Sequence, residues 1–258
     1  MDRWLAAVCA APDDDAPRDA MAAELERLGD PRGEFIRLQL EARRRRLRYE
    51  TADELDRRSE QLERAAGTSW FDGVDRIAKQ VRLRRGFVER IVIDAASWIA
   101  RGDELCNLAP IRDLVITEIG DRLAALLAAP RLEQIRRLTI AKHDGHRIGD
   151  AGAAAIAASP RLGALRVLAI PLQDIGDVGL DALCAASATM LRSLIEVDFT
   201  GNRVESPAET YGIDWMTNSI VPESIALPPH GAELERRYGP IRWLHPASLL
   251  GHGYVREL

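Results

Sequence analysis

Two consecutive stretches decide how this chain is read: RLEQIRRLTIAKHDGHRIGDAGAAAIAASP, from Arg131 to Pro160, and RLGALRVLAIPLQDIGDVGLDALCAAS, from Arg161 to Ser187. They say the same thing in the same order. Each passes through an alternating segment (RLTIA, then VLAIP) and reaches a turn, IGDAG or IGDVG, followed by a run rich in alanine and leucine. Alternation with a period of two reads as a short strand, and the run after the glycine turn as a helix. One strand–helix unit buries its apolar face only by stacking on a neighbour, so likeness between successive units is a packing requirement.

Outward from this pair the apolar dyad recurs: Ile91 and Ile93 in RIVID, Leu114 and Ile116 in DLVIT, Leu138 and Ile140, Leu168 and Ile170, and Val197 and Phe199 in EVDFT. From Ile93 through Ile116, Ile140 and Ile170 to Phe199 the steps are 23, 24, 30 and 29 residues. These units, over about residues 86–204, resemble ribonuclease-inhibitor-like leucine-rich repeats, whose period is roughly 20–29 residues. The resemblance implies an α/β fold, a solenoid of parallel strands plus helices. In that pattern an asparagine bonds the backbone of the turn. Only Asn202, in DFTGNRV, keeps it; Ile119, His143 and Gln173 stand at the other positions, so irregular turns are expected.

Residues 2–80 read as helices. Trp4, Leu5 and Val8 supply one apolar face, and Met21, Leu25 and Leu28 another. Asp15 is placed to cap the second helix with Pro17 in its first turn, and Gly29 with Pro31 to stop it. A further helix is expected from about Glu34, with Phe35, Leu38 and Leu40 inward. Thr51 and Glu54 form a capping-box pattern ahead of the seam Ala52, Leu55, Leu62 and Ala66. Gly67 ends that helix before Trp70 and Phe71, read as core plugs. The arginine run Arg43–Arg46 lies among many carboxylates and reads as a solvated, ion-paired helical face.

The stretch DDDAPRDAMAAELERLGDPRGEFIRLQ, Asp13 to Gln39, resembles the bacterial repeat-companion domain, a short helical module that commonly precedes leucine-rich repeats. GDPRGEFIRLQ carries the likeness. The tyrosine and tryptophan usual in the preceding helix are replaced here by DAMAAELE, and the resemblance brings no catalytic residues with it. The expected organisation is therefore a helical segment over 1–80, repeats over 81–204 and an irregular C-terminal cap over 205–258. The cap should hold a short helix from about Gly231 to Tyr238 and pack Trp243 and Leu244 inward.

The net charge of -5 argues against a general nucleic-acid binder, because no excess of cations exists to neutralise phosphates. Lys79 and Lys142 are the only lysines. Cys9, Cys106 and Cys184 lie far apart without metal-type spacing and read as buried free thiols of a reducing compartment. No apolar run approaches a membrane span. The expected location is the cytoplasm.

His143, Asp144 and His146 in KHDGHR are the sharpest metal candidate, and a metal-dependent enzyme is the reading they would carry. They lack the helical two-His spacing and read as a solvated turn instead. IGDAG and IGDVG lack the lysine and hydroxyl of a phosphate loop, so their glycines read as structural. No nucleophile elbow is present. No catalytic residue, metal or cofactor is expected.

On each strand the residues flanking the dyad alternate onto the opposite face. That row comprises Arg90, Val92 and Asp94; Asp113, Val115 and Thr117; Arg137, Thr139 and Ala141; Val167, Ala169 and Pro171; and Glu196, Asp198 and Thr200. Small apolar residues with charges of both signs suit a protein partner. The expected function is a non-catalytic interaction module binding a protein through this surface. An inhibitor or immunity protein occluding a toxin or nuclease is the alternative, motivated by analogy of fold alone.

Overall fold

The computed structural model describes residues 2–142, 145–204, 208–214, 219–227 and 229–245, with backbone only for Asp2 and for the strands between 208 and 226. The chain divides into two compact units, Met1–Val115 and Ile116–Leu258. The helices expected over 1–80 thus share their unit with two strands and a further helix.

The first unit begins with α1 (Asp2–Ala10), α2 (Ala16–Arg27), α3 (Pro31–Leu47) and α4 (Asp53–Ala66). Gly29, at φ +74°, lets the chain reverse after α2, and Asp30 N donates to Leu25 O at 2.9 Å. Asp30 then caps α3, its Oδ1 accepting from Arg32 N at 2.8 Å. Pro31, expected to act as a stop, is therefore the first residue of α3, which begins before Glu34, because a missing N–H costs little there. A Cβ on Gly33 would fall 2.7 Å from Ala22 O, so α2 and α3 approach too closely for any side chain at that position.

Val8, Met21, Leu25, Ile36, Leu40 and Phe87 share one core, against which Trp4 and Leu5 pack. Trp70 stacks on Phe35 with ring centroids 4.8 Å apart. Leu28, expected inward, is exposed because it is the C-cap of α2, already past the last helical turn. Asp15 occupies the N-cap position without a capping bond; its carboxylate is taken by Arg85 Nη1 at 2.9 Å. The capping box at Thr51 does not form either, since the N-cap of α4 is Ala52.

Next comes a hairpin that the sequence reading missed, β1 (Gln80–Arg84) antiparallel to β2 (Phe87–Asp94). Its two-residue turn, Arg85 at φ 50° and Gly86 at φ 86°, has the left-handed geometry that suits the twist of paired strands. Then follow α5 (Ala95–Leu108) and β3 (Asp113–Thr117), within which the two units divide.

The second unit alternates α6 (Leu123–Ala128), β4 (Arg137–Ile140), α7 (Gly149–Ala157), β5 (Val167–Ala169), α8 (Asp177–Ala186) and β6 (Glu196–Asp198). β4–β5 and β5–β6 pair in parallel, with Leu138 opposite Leu168 and Leu168 opposite Val197. The sheet is six-stranded with strands in chain order, so the fold is α/β. Ile93, Ile116, Ile140, Ile170 and Phe199 are all fully buried. A separate hairpin, β7 (Ala208–Asp214) and β8 (Ser219–Ala226), and α9 (Pro229–Tyr238) complete the described elements. Trp243 and Leu244 are buried as expected, the indole stacking on Phe199 at 6.3 Å and donating to Ser187 Oγ at 2.8 Å.

The turns of this unit are more regular than the scarcity of asparagine implied. Asn202 Oδ1 accepts from Gln173 N and Ile175 N at 2.9 and 3.0 Å, while its Nδ2 donates to Ile170 O and Phe199 O. One strand–helix segment earlier Gln173, fully buried, takes over that task. Its Nε2 reaches Ile140 O, Ala141 O and Pro171 O at 3.3–3.4 Å, and its Oε1 accepts from Ile148 N. The extra methylene of glutamine lengthens the reach and keeps the amide. Asp150 likewise acts beyond its own strand–helix segment, accepting from Gly176 N at 2.7 Å and Gly179 N at 3.1 Å at the start of α8.

Candidate interaction surface

In the second unit the register fixes where the strand-flanking residues stand. Arg137, Val167 and Glu196 lie side by side across β4, β5 and β6, and Thr139, Ala169 and Asp198 form the next row. All are half-exposed except Val167, which is buried. Thr117, Ala141 and Thr200 are half-exposed as well. Neighbouring strands are about 4.8 Å apart, which sets Arg137 and Glu196 about 10 Å from each other across a strip of small apolar groups. Asp198 Oδ1 accepts from Thr200 N at 2.9 Å and from the Thr200 hydroxyl, so this carboxylate is held in place by its own turn.

In the first unit Arg90, Val92 and Asp94 are half-exposed on β2. Asp113 and Val115, expected beside them, are instead buried. The Asp113 carboxylate is drawn in by two guanidiniums, Arg90 Nη1 at 3.1 Å and Arg84 Nη1 at 3.5 Å. What the alternation presented as separate surface charges is an ion cluster in which the carboxylate is buried and the two guanidiniums stay partly exposed. Asp94 is committed too, capping α5 by accepting from Ser97 N and Ser97 Oγ, each at 2.8 Å. Burial opposes its ionisation, but these bonds prevail and hold the carboxyl below its ordinary range.

The buried charge of this unit was not foreseen. Arg18 and Arg85 converge on Glu89 Oε1, both at 2.8 Å, and Arg85 continues to Asp15. Arg32 grips Asp72 through two bonds of 3.0 and 2.7 Å. Phe87 lies between Arg18 and Arg32, whose guanidinium carbons are 5.6 and 5.1 Å from the ring centroid. The run Arg43–Arg46 is paired throughout, with Asp15, Asp19, Glu41 and Asp56 respectively.

His143 and Asp144 lie outside the described residues, so the metal candidate KHDGHR is represented by His146 alone, exposed at the surface. Among the described residues no group of three or more His, Cys, Asp or Glu side chains is placed to hold a metal ion. Cys9, Cys106 and Cys184 are free thiols. Burial pushes the Cys184 thiol up to about 12. Two cavities were unforeseen, one of about 360 Å³ beside α4 and one of about 210 Å³ at the end of α8. The first is lined within one stretch, Glu60 to Phe71, whereas the lining of the second comes together from Cys184–Leu194 and Tyr238–Trp243, which no local motif signals.

Among the described residues no helix is long and apolar enough to cross a membrane. No protein-family model matches the chain, and no curated protein matches it.

Proposed function

We propose that the chain is a non-catalytic protein-interaction module of leucine-rich-repeat type. In this reading its strand–helix units form a short solenoid, and its first helices are a repeat-companion segment. The observation that carries the proposal is the ordered strip of the second unit: a small apolar centre at Ala169, flanked by Arg137 on one strand and by Glu196 and Asp198 on another. A weakly charged centre gains from desolvation, and the flanking charges select the orientation of an incoming protein. Recognition then needs no chemistry, only a pre-formed surface. The free thiols suit a cytoplasmic setting.

The test pairs affinity capture with charge reversal. Partners retained by the unaltered chain are compared with those retained by Arg137→Glu and by Glu196→Arg. Both positions are half-exposed, so the fold should survive either change. A partner that uses the strip loses at least about tenfold in affinity with one or both variants. If every partner binds all three proteins equally, the strip is not the interface.

A further inference from the structure

The cavity of about 210 Å³ in the second unit is enclosed by the last turn of α8 (Cys184, Ser187), by Arg192 and Leu194, and by the segment after α9 that carries Arg242 and Trp243. Trp243, Leu194 and the Cys184 side chain form its inner wall and are themselves buried, so the apolar surface open to a ligand is that of Ala188, Tyr238 and Pro240. The polar groups of that wall are already occupied. The Trp243 indole N–H donates to Ser187 Oγ, which itself donates to Leu183 O at 3.0 Å. The carbonyls that end α8 are engaged too: Cys184 O accepts from Ser187 N, and Ala186 O from Thr189 N and Leu191 N. The partial negative charge usual at a helix C-terminus is thereby largely satisfied.

The rim differs in kind. Arg192 and Arg242 are both exposed, and neither guanidinium has a carboxylate partner among the described residues; Arg192 Nε reaches only Thr189 O at 3.1 Å. The neighbouring Arg236 and Arg237 are paired, with Glu233 and Asp181. Of the nearby acids, Asp181 and Glu235, neither lines the cavity, and Asp181 is held by Arg237 and by the Tyr238 hydroxyl at 3.2 Å. In a chain of net charge -5, a lining with two cations and no anion runs against the average.

The geometry points to a binding site for a carboxylate carried on a short apolar body, the body against Ala188, Tyr238 and Pro240 and the carboxylate on Arg192 and Arg242. Guanidinium forks suit planar carboxylates. At about 210 Å³ the space is smaller than the roughly 300–1,000 Å³ of ordinary small-molecule sites, so it takes one residue-sized group and not a cofactor. Such a ligand is either the C-terminal aliphatic residue of a peptide or a free acyl amino acid.

N-Acetyl-leucine titrated into the isotope-labelled full chain is the direct test, read from the indole N–H resonance of Trp243. A saturable shift is expected in the range of about 1–10 mM, as befits so small a ligand. N-Acetyl-leucinamide should bind about tenfold more weakly, and Arg192→Ala and Arg242→Ala should each weaken N-acetyl-leucine by about fivefold or more. A short peptide ending in a free leucine separates the two sources. Tighter binding than N-acetyl-leucine assigns a chain terminus, and equal or weaker binding a free acid. Equal affinity for acid and amide, the absence of saturation, or inorganic phosphate binding as well as N-acetyl-leucine would overturn the assignment. The acid–amide comparison uses the unaltered chain, so it holds even if a variant folds poorly.

Discussion

Arg18 Nη2 donates to Glu89 Oε1 at 2.8 Å with both side chains almost wholly buried. Burial pulls the Arg18 guanidinium below its ordinary range and pushes the Glu89 carboxyl above its own, although each partner opposes the other's shift. Both move toward the neutral form, so their attraction does not fully offset desolvation. Arg85 moves the other way: burial lowers it, but Glu89 and Asp15 together hold it above its ordinary range.

Breaking this pair from one side should therefore cost more than replacing it. Glu89→Leu, which strands the buried Arg18, is expected to lower stability by about 3–5 kcal/mol, and the double variant Arg18→Met/Glu89→Leu to recover much of that loss, Arg85 keeping Asp15. Urea denaturation of the four proteins of the cycle measures the coupling. Additive losses would mean that the two residues act independently.

Asp94 links stability to acid. Its folded pKa lies below the ordinary 3.8, so its contribution is fully present above that value and is lost as pH falls through the folded pKa. Asp94→Ala should cost about 1 kcal/mol near neutrality, as loss of an N-cap does. The gap between wild type and variant should close in acid, followed by denaturation at a series of pH values. A gap that stayed constant down to full protonation would contradict the capping role.

Gln173 serves several backbone groups at once, so truncation should be severe for a polar residue. Gln173→Ala leaves the carbonyls of Ile140, Ala141 and Pro171 without its amide, an expected cost of about 2–4 kcal/mol. Gln173→Asn keeps the amide but shortens the reach, and should fall between the two. Amide hydrogen exchange along β4 and β5 would report the loosening locally, and unchanged protection there would refute it.

Cys184 should be the least reactive of the three thiols. With its pKa raised from 9.0 to about 12, its thiolate fraction near neutrality is about a thousandfold below that of an ordinary cysteine. Mass spectrometry after graded alkylation should find Cys9, which is half-buried, modified first. The sign for stability follows: the raised thiol adds no pH dependence below about 9, and stability falls as pH rises beyond it.

The repeated dyads were legible because burial imposes a period that local sequence displays: Ile93, Ile116, Ile140, Ile170 and Phe199 are interior as their spacing required. The rows across β4, β5 and β6 were legible for the same reason. Asp113 was not, because alternation tells which way a side chain leaves a strand and not that Arg84 and Arg90 will close over it. Arg18 and Glu89 drew no reading, because a charged side chain carries no local sign that it will be buried. β1 was hidden by its arginines. Gln173 and Asp150 act on backbone groups of neighbouring strand–helix segments, and backbone partners leave no trace in residue identity.

The forward reach of Asp150 has a consequence for how such a chain can be shortened. Because the start of α8 borrows its acceptor from the preceding turn, α8 does not carry its own start with it. An excision that removed Asp150 and kept α8 would strand the amides of Gly176 and Gly179, whereas a cut ahead of Ile148 would leave them served.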